Sequence, residues 1–403
     1  MRTIFFEKSI PKMLLTKALQ PIWPAVIYSR LSPTRFVDVP EKPLPGPSWV
    51  RMHNRLCGIC ASDLHLLFVE ADPRISPAAL PGTERIYLGH EVLGEVIEVG
   101  ADVTTLKVGD RVILDHPEAN CLNQEIKPLC RHCRQGNPAL CENSSLGLSL
   151  EGMGGGWGDG FTAHETMVCK VPDELGDEMA LMIEPLSVGV RSALRCLPEP
   201  DQSVLVVGSG VIGLTVIQAV RAFSPECRIS VMARYPQQVE MAGKLGADEI
   251  ISQEDSYSAS ARITSGKLYT GQFKNRMILG GFDVVYDCVG SKKTVQDSLR
   301  WARAGGTVVL VGVNLKPMHV DLTPIWYQEV DLIGLFGHGT EEWNGVKQST
   351  YDLTTDLLLK KKLLIDGLIT HHFPLEQWRT AVRTAKDKNS GSIKVVLDFR
   401  EAR

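Results

Sequence analysis

The sequence predicts an α/β chain of two domains, one β-rich and barrel-like, the other a doubly wound parallel sheet. Three observations carry that prediction. At 403 residues the chain exceeds what one ordinary hydrophobic core serves. Its first third is rich in Gly and Pro, and short β-like runs at Val50–His53, Val92–Val99, Arg111–Leu114 and Thr166–Val171 are separated by turns such as Pro45–Gly46 and Gly109–Asp110. From about Leu186 the rhythm changes to strand, glycine turn and helix.

In that second region Ser203–Val207 is a β-branched run of the buried parallel type, and Val211–Phe223 is an apolar helix. Arg228–Met232, Asp283–Asp287 and Thr307–Val311 repeat the strand signal, with helices expected at Pro236–Leu245 and Lys293–Ala302. The tail from about Asp331 breaks the alternation. It offers a helix at Tyr351–Lys361 and a closing strand at Ile393–Phe399, read as returning to the first domain. The expected domains are therefore 1–185 with 336–403, and 186–335.

With 44% hydrophobic and 22% charged residues, the composition is that of a soluble globular protein. A net charge of −4 offers no basic field for nucleic acid. No stretch approaches the ~18 apolar residues of a membrane helix. Met13–Tyr28 is mildly apolar but interrupted by Lys17, Pro21 and Pro24, and lacks the layout of a signal peptide, so a cytoplasmic location is expected. In that setting the ten cysteines point to metal or catalytic use rather than disulfides.

Gly208-Ser209-Gly210-Val211-Ile212-Gly213 follows a strand and opens a helix. Gly208 makes the tight turn, Gly210 lets the backbone approach a pyrophosphate, and Gly213 lets helix pack on strand. The helix N-terminus supplies free N–H groups and a positive dipole. At the end of the second strand, Ala233 stands where an NAD-binding chain usually places an acid. Arg234 then offers a planar cation for a 2′-phosphate, unless it is only a solvated loop residue, so NADP(H) is expected over NAD(H). Asp287-Cys288-Val289-Gly290 and Gly312-Val313 end two strands at the sheet's carboxyl edge, where cofactor contacts are expected.

Two cysteine–histidine constellations carry metal chemistry. Cys121, Cys130, Cys133 and Cys141 fall in one loop-rich segment and suit a closed tetrahedral zinc. Cys121 is the most distant member, and His132 offers a substitute ligand. The second set is dispersed: Cys60, His65, Gly89-His90-Glu91 and Glu184-Pro185-Leu186. Such a mixed, incomplete set suits a catalytic zinc with an open position. Cys57 could pair with Cys60 as a redox C-x-x-C, but such pairs usually begin a helix and this one lies in a β-rich region, so Cys57 is read as a packing residue.

Gly58-Ile-Cys60-Ala-Ser62-Asp63-Leu-His65, Gly89-His90-Glu91, Gly109-Asp110-Arg111-Val112, the four-cysteine loop, Glu184-Pro185-Leu186-Ser187 and the glycine turn occur in that order. Together they resemble the zinc-containing medium-chain dehydrogenases/reductases of the alcohol dehydrogenase superfamily over nearly the whole chain. Glutamate at 184 is similar to the sorbitol (polyol), sugar and threonine dehydrogenase branch, and Ala233-Arg234 to its NADP(H)-using members. The resemblance implies a GroES-like first domain, a Rossmann cofactor domain and a homodimer or homotetramer. It implies an enzyme that moves hydride between NADP(H) and a small alcohol or carbonyl substrate, with a polyol or sugar favoured over a simple alcohol, aldehyde or amino alcohol. A non-catalytic NADPH-binding protein is the reading from another class.

By the same resemblance Cys60 and His90 are zinc ligands, with Glu91 or Glu184 completing the shell. Ser62 takes the substrate proton, His65 hands it to solvent, and Asp63 orients His90. The four cysteines hold a structural zinc. The chain departs from the family in an N-terminal extension, in insertions at 68–87 and 258–279, and in a wide gap between Cys121 and Cys130.

Overall fold

The β-branched run Ser203–Val207 forms a strand whose last four residues are buried, as befits a strand covered on both faces. The structure, a computed structural model, describes residues 1–72, 84–116, 118–143 and 154–400. Strand Ser203–Val207 pairs in parallel with Arg228–Met232 on one side and Phe282–Asp287 on the other. Glu249–Ile251 extends the first side, and Ala302–Leu310 then Asp331–Gly334 extend the second, all parallel. Chain order thus reverses beside Ser203–Val207, and the carboxyl ends of the strands there form the natural ligand crevice. Helices Val211–Phe223, Pro236–Lys244 and Lys292–Trp301 lie between strands, close to the expected positions.

The other sheet is antiparallel at its centre. Trp49–Gly58 pairs with Val92–Val99, with Gly160–His164 and with Lys394–Asp398, all antiparallel. Arg111–Leu114 and Val168–Lys170 continue one side, and Ile369–Phe373 closes the other. The closing strand near the C-terminus therefore does join the first β-rich region, with Leu397 opposite Cys57. Of the strand expected at 166–171 only Val168–Lys170 is extended, because Glu165–Met167 forms a 3₁₀ turn capped by His164. Trp157, Phe6, Met52, Leu56 and Leu67 are fully buried here.

Two of the departures build one small sheet. Arg2–Glu7 from the N-terminal extension pairs with Thr34–Asp38 and with Arg85–Tyr87 from the insertion at 68–87. Residues 73–83 of that insertion lie outside the described residues. The insertion at 258–279 completes a helix, Ser256–Ile263, and adds an antiparallel hairpin, Lys267–Thr270 with Arg276–Leu279.

The chain divides into one unit of Met1–Glu184, Leu315–Pro317 and Ile369–Arg403, and another of Pro185–Asn314 and Met318–Leu368. Residues 336–368, expected with the first domain, lie in the second unit. Their contacts explain it. Thr354 receives a hydrogen bond from Ser187 at 3.0 Å, Glu341 pairs with Arg191 at 2.6 Å, and the Trp343 ring stacks edge-on against Phe223 at 4.8 Å.

Candidate metal and nucleotide sites

Cys60 is the last extended residue before the helix Ala61–Leu67 and serves as its N-cap. Asp63 closes the helix start by accepting the Cys60 amide at 3.1 Å, and accepts the Gly89 amide at 3.0 Å with its other oxygen. One buried carboxylate thus ties the Cys60 turn to the loop that carries His90. The sulfur of Cys60, a His90 ring nitrogen and a Glu91 oxygen lie within 4.8 Å of one another. Glu184 is outside that trio, in the first turn of helix Ile183–Arg195, yet its charge acts on both His90 and Lys394. Burial by itself would pull the His90 imidazole down, but Cys60 and Asp63 outweigh it and hold it well above the ordinary value. Asp63 stands 3.8 Å from His90 Nδ1, an electrostatic contact longer than the hydrogen bond expected of an orienting partner.

A helix does begin at Cys60, contrary to the β-rich setting used to discount a redox pair. The packing role of Cys57 rests instead on its surroundings. It is fully buried in strand Trp49–Gly58, and a Cβ on Gly89 or Gly156 would come within 2.7 Å or 2.4 Å of its sulfur. Burial drives its thiol well above the ordinary value, so it is held as the inert protonated form. Gly58 is needed for space as well: a Cβ there would lie 1.9 Å from Glu91 Oε2.

The sequence reading missed Lys394. Its ammonium donates to both Glu91 oxygens, at 2.6 Å to Oε1, and the two side chains are 1% and 2% exposed. Burial would lower the lysine, but the charges of Glu91 and Cys60 raise it overall. The available signal was a lone lysine inside the apolar run Ile393-Lys394-Val395-Val396-Leu397.

All four cysteines of the loop converge, Cys121 included, with their sulfurs within 4.8 Å of one another. Cys121 and Cys141 are 3.5 Å apart and all four are free thiols. Amides point at the sulfurs: Cys133 donates to Cys130, which caps the helix Arg131–Arg134, and Asn143 donates to Cys141 and Cys121. Amide hydrogen bonds from Cys133 and Glu142 hold the Cys130 thiol at about 6, while burial pushes the Cys133 and Cys141 thiols up, so the cluster as a whole becomes thiolate only with a cation to offset that burial. This is a cradle for negative sulfur and therefore for a thiophilic cation. His132 is not part of it; its ring faces Arg131 and Glu142.

In the other unit Gly208 takes φ +91°, open to glycine at little cost, and a Cβ on Gly213 would lie 1.8 Å from the Gly208 carbonyl. Gly210 N-caps helix Val211–Phe223, with Val211 and Ile212 in its first turn. Ala233 is buried just past strand Arg228–Met232, and Arg234 follows it, exposed, with its guanidinium 5.4 Å from the Tyr235 ring. Asp287 accepts the amides of Val289 and Gly290, both at 3.0 Å, and its carbonyl accepts that of Gly312. The two strand ends are thereby clamped together, and the Cys288 amide donates to the Val207 carbonyl at the end of the neighbouring strand. Val289 and Val313 are 45% and 51% exposed at this edge, apolar surface left open where a ligand would lie.

Residues 46–173 match the alcohol dehydrogenase GroES-like domain, and residues 211–350 match the zinc-binding dehydrogenase domain. A sorbitol dehydrogenase from Arabidopsis thaliana is 33% identical over 89% of this chain and 90% of its own. The chain belongs to the zinc-containing medium-chain dehydrogenases/reductases. An L-idonate 5-dehydrogenase from Vitis vinifera is also 33% identical, over 83% of each chain. The crystal structure of 2R,3R-butanediol dehydrogenase from Bacillus subtilis superposes with a TM-score of 0.71 at 25% identity, over 91% of this chain and 96% of that one. Within the family the chain falls in the polyol dehydrogenase branch, and it is an oxidoreductase acting on CH–OH groups. No helix among the described residues is long and apolar enough to cross a membrane.

Proposed function

We propose that this dehydrogenase oxidises a polyol or sugar alcohol at a secondary hydroxyl, with NADP⁺ as acceptor, and reduces the matching ketone in reverse. The substrate class rests on relatives named for sorbitol and L-idonate. The residues fit the implied groups. Sulfur, imidazole and carboxylate donors drawn together at Cys60, His90 and Glu91 are the mixed set of a catalytic zinc, with Glu184 as the second carboxylate within electrostatic reach. Zinc bound there supplies Lewis acidity that makes a substrate hydroxyl easier to deprotonate. The four cysteines would hold a second, structural zinc.

One observation carries the proton chemistry: the Ser62 hydroxyl is buried and has no hydrogen-bond partner among the described residues, two residues from Cys60. An orphaned buried hydroxyl costs stability, so its retention fits a partner that arrives with substrate. Ser62 Oγ accepts the substrate proton and passes on its own. His65, one turn further along the same helix and partly exposed, carries the proton to solvent. Gly208, Gly210 and Gly213 hold the cofactor pyrophosphate, and Arg234 holds the 2′-phosphate that Ala233 leaves unopposed.

The test is a panel of polyols, sugars and simple alcohols assayed with NADP⁺ and NAD⁺, alongside the Arg234→Ala variant. Arg234→Ala is expected to weaken NADPH binding by about tenfold or more, the share of one charge-assisted contact, while leaving NADH within about twofold. Equal losses for both coenzymes would refute the NADP(H) assignment. Turnover confined to simple aldehydes would refute the polyol assignment.

A further inference from the structure

The helix Ala61–Leu67 ends in an unusual way. Val69 has φ +50° and is buried, so a β-branched residue occupies the left-handed region that favours glycine. Around it the Val69 amide donates to the Leu66 carbonyl and the Glu70 amide to the His65 carbonyl, both at 2.9 Å, the paired bonds of a Schellman turn. The turn folds the chain back over the last helical residues. It brings Glu70 Oε2 to 2.7 Å from His65 Nδ1. The other Glu70 oxygen accepts from Lys386 Nζ at 2.9 Å, and that ammonium also sits 3.5 Å from the centre of the Phe68 ring. A strained residue held in place at such a junction points to a function for what it positions.

We propose that Glu70 is a positioning residue for the relay, fixing His65 in the tautomer that carries its proton on Nδ1 and turning Nε2 toward the proton to be moved. The inference rests on the relay reading of Ser62 and His65 given above. Its chemistry follows from the partner. Hydrogen bonds from His65 and Lys386 outweigh burial and hold the Glu70 carboxyl at about 2, so near neutrality it is a carboxylate and only accepts. The atom 2.7 Å away must then be an N–H, and in the neutral ring that leaves Nε2 as the acceptor. In the transfer, Nε2 gains one proton from the Ser62 side and releases one to solvent, while the Nδ1 proton stays on the ring. Glu70 stabilises the imidazolium formed in between, as a carboxylate behind a catalytic histidine does elsewhere. The charged groups facing His65 among the described residues are Glu70 directly and Lys386 through it.

The experiment uses the holoenzyme with ¹⁵N-labelled histidine, the His65 ring signals being assigned from their loss in His65→Gln. The wild type is expected to show the Nδ1–H tautomer. Glu70→Ala should convert it to a mixture rich in Nε2–H and lower kcat about tenfold, with KM, zinc content and NADP(H) affinity unchanged. Glu70→Gln, which keeps the side-chain shape, should show the same direction if the alanine variant fails to fold. An Nε2–H tautomer in the wild type would overturn the proposal. So would a drop in kcat for His65→Gln with none for either Glu70 variant. A His65→Gln variant of undiminished kcat would instead sink the relay itself, and the wild-type tautomer would still decide what Glu70 does.

Discussion

The four-cysteine loop and the Cys60 cluster solve the same problem, gathering soft donors around a point, in opposite ways. The loop draws four identical donors from residues 121–141, and its own amides bond to the sulfurs. The Cys60 cluster draws three different donors from a strand-to-helix junction and a separate loop, with Glu184 nearby on another helix and Lys394 from the closing strand. A short loop with four sulfurs fills every position of a tetrahedral ion and leaves nothing for a substrate. A dispersed, chemically uneven cluster leaves room, and it needs a scaffold to hold it. Here the scaffold is Asp63, Gly58 and Lys394.

That contrast can be broken at its strongest point by Cys60→Ala or His90→Ala. Turnover should fall about a thousandfold or more, the several kcal/mol supplied by a Lewis acid. Metal analysis should show one zinc lost and one kept, with NADP(H) binding intact; loss of both ions would mean that the two clusters are not independent. Next in size is Lys394→Met, which strands the Glu91 charge in the interior. Urea unfolding should show a loss of about 3–5 kcal/mol, largely restored by adding Glu91→Gln. A Lys394→Met protein as stable as the parent would show that Glu91 does not need its partner. The smallest effect on activity is expected from Cys133→Ser. Its zinc should leave the loop and proteolysis should open within 121–143, while turnover falls about tenfold at most. A complete loss of turnover would make the loop part of the catalytic machinery rather than a brace.

The same contrast explains what could be read in advance. Four cysteines close in sequence announce themselves, and so does a glycine turn between a β-branched strand and an apolar helix, because both depend on short-range spacing. The parallel sheet followed from the alternation of its strands and helices. The stretch 336–368 was misplaced because its helix and hairpin pattern is the same wherever it docks; the bonds from Ser187 and Arg191 decide its unit. Lys394 and Glu70 also went unread. Lys394 acts on a partner 303 residues away, Glu91, and Glu70 reaches His65, only five residues back, through a left-handed Val69 that no residue type there announces.

The parallel sheet with its glycine turn, the cysteine-rich loop at 121–141 and the family whose motifs occur in order from Cys60 to Gly213 are legible in the sequence alone. Those features are set by local spacing, side-chain periodicity and the backbone freedom of glycine, which act over a few residues. The folded chain adds the fourth cysteine, the burial that keeps Cys57 a packing residue although a helix begins at Cys60, the lysine that pins Glu91, and the turn at Val69 that aims Glu70 at His65. Those outcomes depend on which surfaces exclude water together, and burial is a property of the folded chain.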